Sequence, residues 1–266
     1  MPMPRPRRAP ARPGGPRPAE STAEAPRDTD LPDDGTGTSS AGVAGDIGIA
    51  FGVEVIGTFL IVFASVASIV VTQAQDVAGA ALGAGLATGV LVASLGHLSA
   101  ALFNPAIAVA FAVTGRLSPS RAALAVLGQA IGSVLGAGAV AFTFPAEVVS
   151  KVGNATPGIG PGATDVAAAA VEAIATFLVV TVLYGSWFDE RNRSALGPLY
   201  VGLAVTAAIM ATASISGGAL NPARWFGPAL YNATYENGWV WIVGPTLGAV
   251  VAGATYQFGF MRGRAH

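Results

Sequence analysis

The sequence predicts an all-α membrane protein in which six transmembrane helices surround two re-entrant half-helices, built as an inverted repeat. Three observations carry this. Six apolar stretches are long enough to cross a bilayer, nearly all positive charge falls on one side of them, and one tripeptide opens two apolar stretches too short to span.

Composition comes first. The 266 residues are 52% hydrophobic and 11% charged, against roughly 25% charged in soluble domains. There is no Cys. That excludes disulfide frameworks, thiolate metal sites and cysteine nucleophiles. His97 and His266 are the two histidines, too few for a multi-histidine metal centre. No metal and no cofactor are expected. A net charge of -1 gives no reason to expect nucleic acid. No nucleophile–base pair or phosphate loop appears, so the chain does not read as an enzyme. Gly158-Ile159-Gly160-Pro161-Gly162 is glycine-rich but carries Pro and no Lys, so it reads as an outer loop rather than a phosphate cradle.

Residues 1–45 hold six Arg and six acids, with Pro, Gly, Ser and Thr filling most of the rest. Such a segment cannot bury enough apolar surface to offset the entropy of ordering it. It is read as a disordered cytoplasmic arm. Residues 46–262 form the membrane domain.

A membrane span needs about 20 mainly apolar residues. The stretches 47–72, 78–98, 121–144, 165–188, 195–215 and 238–260 qualify. Small residues inside them let helices approach closely in lipid. Gly132 with Gly136, and Gly244 with Gly248, have the required spacing of four. With six spans, twelve of the 14 Lys and Arg lie on one side, leaving Lys151 and Arg224 on the other. The positive-inside rule then puts both termini in the cytoplasm, and a plasma (inner) membrane is the expected location. Trp225, Trp239, Trp241, Tyr231 and Tyr235 gather near the outer end and are expected in an interfacial belt.

Residues 104–114 and 221–231 are left over. At about 1.5 Å per helical residue, each reaches only about half of a ~30 Å core. Each opens on the same tripeptide, Asn104-Pro105-Ala106 and Asn221-Pro222-Ala223. Asn is a preferred N-cap and Pro suits the first helical position, so each tripeptide starts a short helix. The segment from Glu54 to Leu60 resembles that from Glu172 to Leu178, at an offset of 118, and the two Asn are offset by 117. Each half, about 46–144 and about 165–262, holds three spans and one half-helix. Three is odd, so the halves lie upside down relative to each other. Inverted repeats with broken helices place a site near the bilayer midplane.

With the paired tripeptides and paired Glu-containing helices, residues 46–262 resemble the major intrinsic proteins, the aquaporin family. The resemblance implies a right-handed bundle of six tilted helices, half-helices meeting at its centre, and a homotetramer in lipid with one pore per subunit. It implies passage of water and small neutral solutes, and exclusion of ions and protons.

Physics supplies a mechanism. The loops 97–103 and 214–220 would offer a ladder of carbonyl acceptors along one wall, facing an apolar wall. A neutral solute replaces part of its water shell on the ladder, whereas an ion loses far more solvation. The half-helix N-termini and the amides of Asn104 and Asn221 would repel cations at the centre.

The family motif places Arg224 at the outer constriction, with Ala84, Ile209 and Gly218 at the other three positions. Strict water channels usually carry Phe and His where Ala84 and Ile209 stand, so the opening should be wider and less polar. Glycerol facilitators usually carry Asp where Trp225 stands. The four residues resemble nodulin-like members that pass boric acid and related metalloid acids, and vacuolar-type channels with Ile at the second position. Urea, ammonia, arsenite, peroxide and glycerol remain open alongside boric acid. Leu102 replaces a frequent His, so no pH gating is expected there, and His97 is read as a donor that supports the loop.

Glu54 and Glu172 are the only acids deep in spans. An intramembrane carboxylate is a functional hypothesis by default. Their symmetric recurrence favours a role in holding the re-entrant loops. Proton coupling in a secondary transporter, and a non-conducting structural membrane protein, are the competing readings.

Overall fold

The computed structural model describes residues 40–261. The arm assigned to 1–45 lies mostly outside the described residues. Its last six residues are not an arm: α1 already begins at Ser40 and runs to Thr72. The predicted boundary therefore falls inside a helix, in a Pro-free stretch where nothing stops the helix from extending. The remaining elements are α2 (Val77–Leu95), α3 (Pro105–Val113), α4 (Pro119–Thr143), α5 (Ala146–Lys151), α6 (Asp165–Leu183), α7 (Gly197–Ser216), α8 (Pro222–Asn232) and α9 (Trp239–Ala254). Helices α6 and α9 run on through π-helical turns at Tyr184–Phe188 and Thr255–Phe260. Six of the helices are long and apolar enough to cross a membrane. The short helix α5 and both π-turns are not expected from the sequence.

The long helices pair across the bundle, α1 with α4, α6 with α9 and α2 with α7. Small residues set these pairs. A Cβ on Gly132 would overlap the Val55 carbonyl, and one on Gly248 the Ala173 carbonyl. The third pair uses Gly85 and Gly89 of α2 against Gly202 of α7. Replacing Gly248 by Val forces α9 away from α6. The expected cost is on the order of 2–3 kcal/mol, read as a lower Tm of the detergent-solubilised protein. An unchanged Tm would show that the contact is slack.

The half-helices cross between repeats. α3, from the first repeat, packs on α9, and α8, from the second, packs on α4. Each is thus anchored by the long helix of the opposite half. Polarity is inverted relative to a soluble protein. Glu54, Glu172, Gln129, Asn104, Asn221 and Arg224 are buried, while Ile56, Val90, Phe142, Ile174 and Leu247 are exposed. An exposed apolar coat of this kind suits hydrocarbon, where it has no water to order.

At the end of α6 the chain turns through Asp189. Arg191 donates to Asp189 from Nε at 2.8 Å and from Nη2 at 2.5 Å, and the Tyr256 hydroxyl donates at 3.4 Å. The Arg191 guanidinium holds the Asp189 carboxyl below its ordinary range, against the opposing effect of burial. A depressed carboxylate stabilises the fold at pH above its unfolded value, about 3.9, and loses that contribution as pH falls through the folded value. Thermal stability is therefore expected to hold level from neutral pH down to about 5 and to fall below about 4. In Asp189→Asn the acid-side fall should shrink. An identical acid profile for wild type and variant would remove Asp189 from the account.

Candidate pore

The two tripeptides form one structure. Asn104 and Asn221 are extended N-caps, and each Oδ1 accepts at 2.9 Å from the backbone N–H two residues on, that of Ala106 or Ala223. Each Nδ2 then reaches into the other repeat. Asn104 donates to the Leu220 carbonyl at 2.9 Å, and Asn221 to the Phe103 carbonyl at 2.8 Å. Pro105 and Pro222 occupy first helical positions, where a missing N–H leaves no gap. The half-helices therefore meet N-terminus to N-terminus, tied by a reciprocal pair of amide bonds.

The loops leading in are strained and held. Ala101, Phe103 and Leu220 have φ of 45°, 49° and 57°, a region costly for side chains with a Cβ. Glu54 accepts from the N–H groups of Leu102 and Phe103, both at 2.9 Å. Glu172 accepts from those of Ala219 and Leu220, at 2.8 and 2.6 Å. A third donor completes each carboxylate: Gln129 Nε2 at 2.7 Å on Glu54, and the Ser216 hydroxyl at 2.7 Å on Glu172. The second loop is shorter than expected, because α7 runs on to Ser216 and stops at the left-handed Gly217.

His97 does not support the first loop. It is exposed and makes no side-chain hydrogen bond to any described residue. Ser99, whose hydroxyl accepts from the Ala101 N–H at 2.9 Å, stands closer to the loop and takes that place beside Glu54.

A cavity runs past the junction between both loops and α1, α2, α6 and α7. Its lining includes the loop residues Ala100, Ala101, Leu102 and Ala219, whose carbonyls receive no hydrogen bond from a described residue. The helices contribute the apolar residues Ile61, Val92, Val179, Leu183, Val201 and Val205. Ala84, Ile209 and Arg224 line the same cavity, with Asn104 and Asn221. Gly218 does not. At φ 58°, it packs against the Cα of Ile209 and the hydroxyl of Thr212, and its neighbour Ala219 lines the cavity instead.

Arg224 lies in the first turn of α8 and is buried. Its Nε donates to the Ser65 hydroxyl at 2.7 Å and its Nη1 to the Ala155 carbonyl at 3.0 Å. No carboxylate among the described residues forms an ion pair with it. Its hydrogen bonds go to neutral acceptors, and the Glu172 carboxylate acts on it only through space.

Two of the aromatic residues expected at the interface are inside. Trp225 stacks on Trp241 with ring centroids 5.9 Å apart, and both are buried. Trp241 Nε1 donates to the Ser216 carbonyl at 2.8 Å. Trp239, Tyr231 and Tyr235 are exposed. Sequence reasoning also missed Ser65, Gln129, Ser216 and Ser133. The Ser133 hydroxyl donates to the Ala223 carbonyl and accepts from the Gly227 N–H at 2.8 Å, fixing α8 to α4.

Six helices long and apolar enough to cross a membrane, two opposed half-helices, and a cavity lined by their junction and by a buried cation together have the architecture of a transmembrane channel. The chain belongs to the major intrinsic protein family, whose model matches residues 48–256. It is 35% identical over 210 residues to Aquaporin NIP1-1 of Arabidopsis thaliana, covering 77% of this chain and 71% of that one. It is 35% identical over 223 residues to Aquaporin TIP4-4 of Zea mays, covering 80% and 87%. Its fold matches the aquaglyceroporin from Plasmodium falciparum with a TM-score of 0.75 at 21% identity, over 80% of this chain and 97% of that one. It is a passive membrane channel for water and small solutes, not an enzyme.

Proposed function

We propose that this channel has a wide filter, passing neutral solutes larger than water, with boric acid, arsenite, urea, ammonia and glycerol as the candidate class, and excluding ions and protons. The observation that carries this is the company Arg224 keeps. The side chains that line the cavity with it include Ala84 and Ile209, one small and one wholly apolar. Neither narrows the opening as an aromatic ring would, and neither competes for the solute's hydrogen bonds. The NIP-type relatives support the nodulin-like comparison.

In this reading Asn104, Pro105, Ala106, Asn221, Pro222 and Ala223 form the central barrier to cations. Each half-helix N-terminus is worth roughly +0.5 charge, and the second N–H of each Asn amide is left for a passing oxygen. Ala84, Ile209 and Arg224 form the outer filter, with Ala219 in the place that motif spacing gave to Gly218. Glu54 and Glu172 hold the loops. The assembly is a homotetramer in a plasma (inner) membrane, with both termini in the cytoplasm.

Proteoliposome swelling in boric acid, urea and glycerol tests the reading, with wild type beside the double variant Ala84→Phe, Ile209→His. Wild type should swell in at least one of these solutes. In the double variant that flux should fall by about tenfold or more while water flux persists. A wild type that passes water alone refutes the wide filter.

A further inference from the structure

Ser65 stands in the outer filter, outside the positions that motif spacing marks. It lies one turn beyond Ile61 on α1, and both side chains line the cavity. Its hydroxyl accepts from Arg224 Nε at 2.7 Å. A hydroxyl has one proton and two lone pairs, so this bond leaves the proton and one lone pair unused.

Three nearby hydroxyls on α1 and α2 give their proton to their own helix. Ser68 donates to the Ala64 carbonyl at 2.7 Å, Thr72 to that of Ser68 at 2.8 Å and Thr88 to that of Ala84 at 2.9 Å. Ser65 makes no such bond to Ile61, and no described residue accepts its proton. The neighbouring filter side chains, Ala84 and Ile209, offer it nothing. Arg224 can only donate. Of the cavity-lining residues Ser65, Ala84, Ile209 and Arg224, Ser65 is therefore the one that can both donate to a solute hydroxyl and accept from it.

We propose that Ser65 is a specificity-determining residue of this filter: it fixes the Arg224 guanidinium and exchanges hydrogen bonds with hydroxylic neutral solutes as they pass. The proposal rests on the wide-filter reading. A polyol or a boric acid molecule carries hydroxyls that need acceptors as well as donors. Against Arg224 alone, its protons would lose water with no side-chain replacement.

Thr and Val have nearly the same shape and differ in the hydroxyl, so the test compares full-length Ser65→Thr with Ser65→Val in proteoliposomes. The probes are boric acid, glycerol and water, and Tm in detergent confirms that both variants are folded. Ser65→Thr should keep the wild-type ratio of boric acid to water flux. Ser65→Val should lose about fivefold in boric acid and glycerol flux, equivalent to about 1 kcal/mol, and about twofold in water flux. Equal fluxes in the two variants for every permeant solute would overturn the proposal. Should wild type pass only water, the wide-filter reading fails by itself, and the Thr–Val difference in water flux alone decides the role of Ser65. If Ser65→Val does not fold, Ser65→Ala against wild type is judged by the same contrast.

Discussion

Arg224→Val is expected to make the channel leak protons and small cations. In wild type a fixed guanidinium stands beside the cavity with no carboxylate paired to it. A unit charge about 4 Å away at an effective dielectric near 20 raises the energy of a monovalent cation by about 4 kcal/mol. That lowers its occupancy of the cavity beside Arg224 by about a thousandfold. The variant removes this barrier and widens the opening. The half-helix termini at the midplane remain, each still worth roughly +0.5 charge. The predicted rise in proton flux is therefore smaller, about ten- to a hundredfold, because the second barrier takes over.

The measurement is the decay of a pH gradient across proteoliposomes, with the membrane potential clamped. Arg224→Lys provides the control, since it keeps the charge but cannot bridge Ser65 and Ala155 with one planar group. It should exclude protons nearly as well as wild type while its solute preferences relax. Proton flux through Arg224→Val no greater than through wild type would place the barrier wholly at Asn104 and Asn221.

What could be seen in the sequence was what is chemically local. An N-cap Asn followed by Pro needs only its own next residues, so both half-helix starts could be located within a residue. The Glu residues stood out because a carboxylate in an apolar span demands a donor, and the loops 48 residues downstream of each were the only donor-rich backbone near. Ser65 could not be seen in this way. A serine in an apolar helix has its own helix's carbonyl as default partner, as Ser68 does. Nothing in the sequence separates it from Ser65, which reaches an arginine 159 residues away. Trp225 and Trp241 failed for the opposite reason. Outer-end aromatics usually sit at the interface, but stacking on each other and bonding to Ser216 gave these two a place inside. His97 matched a family position, yet its side chain has no described partner, because Ser99 and Glu54 already satisfy the loop.

Glu172→Gln, and equally Glu54→Gln, is expected to cost the fold rather than uncouple a transport cycle. Glu172 receives Ser216 Oγ and the Ala219 N–H on one oxygen and the Leu220 N–H on the other. Glutamine keeps one acceptor and turns a second donor toward a donor. One buried N–H then goes unpaired at a cost of about 1–3 kcal/mol, and the surviving bonds lose their charge-assisted strength. Leu220 sits at φ 57°, a conformation that the lost bond helped to hold. Its carbonyl is also the acceptor for Asn104, so the damage reaches the junction of the half-helices. The sum is on the order of 3–5 kcal/mol, a Tm lower by roughly 10–15 °C. A proton carrier would behave differently. Each carboxylate already accepts three donors, so a proton moving on and off would strip the charge-assisted strength from the loop bonds in every cycle. If these residues coupled transport to protons, wild-type flux would follow an imposed pH gradient, and the Gln variants would be stable but lose that dependence. Passive flux in wild type together with destabilised Gln variants is the outcome the loop geometry requires. Stable Gln variants with altered pH dependence would establish the transporter instead.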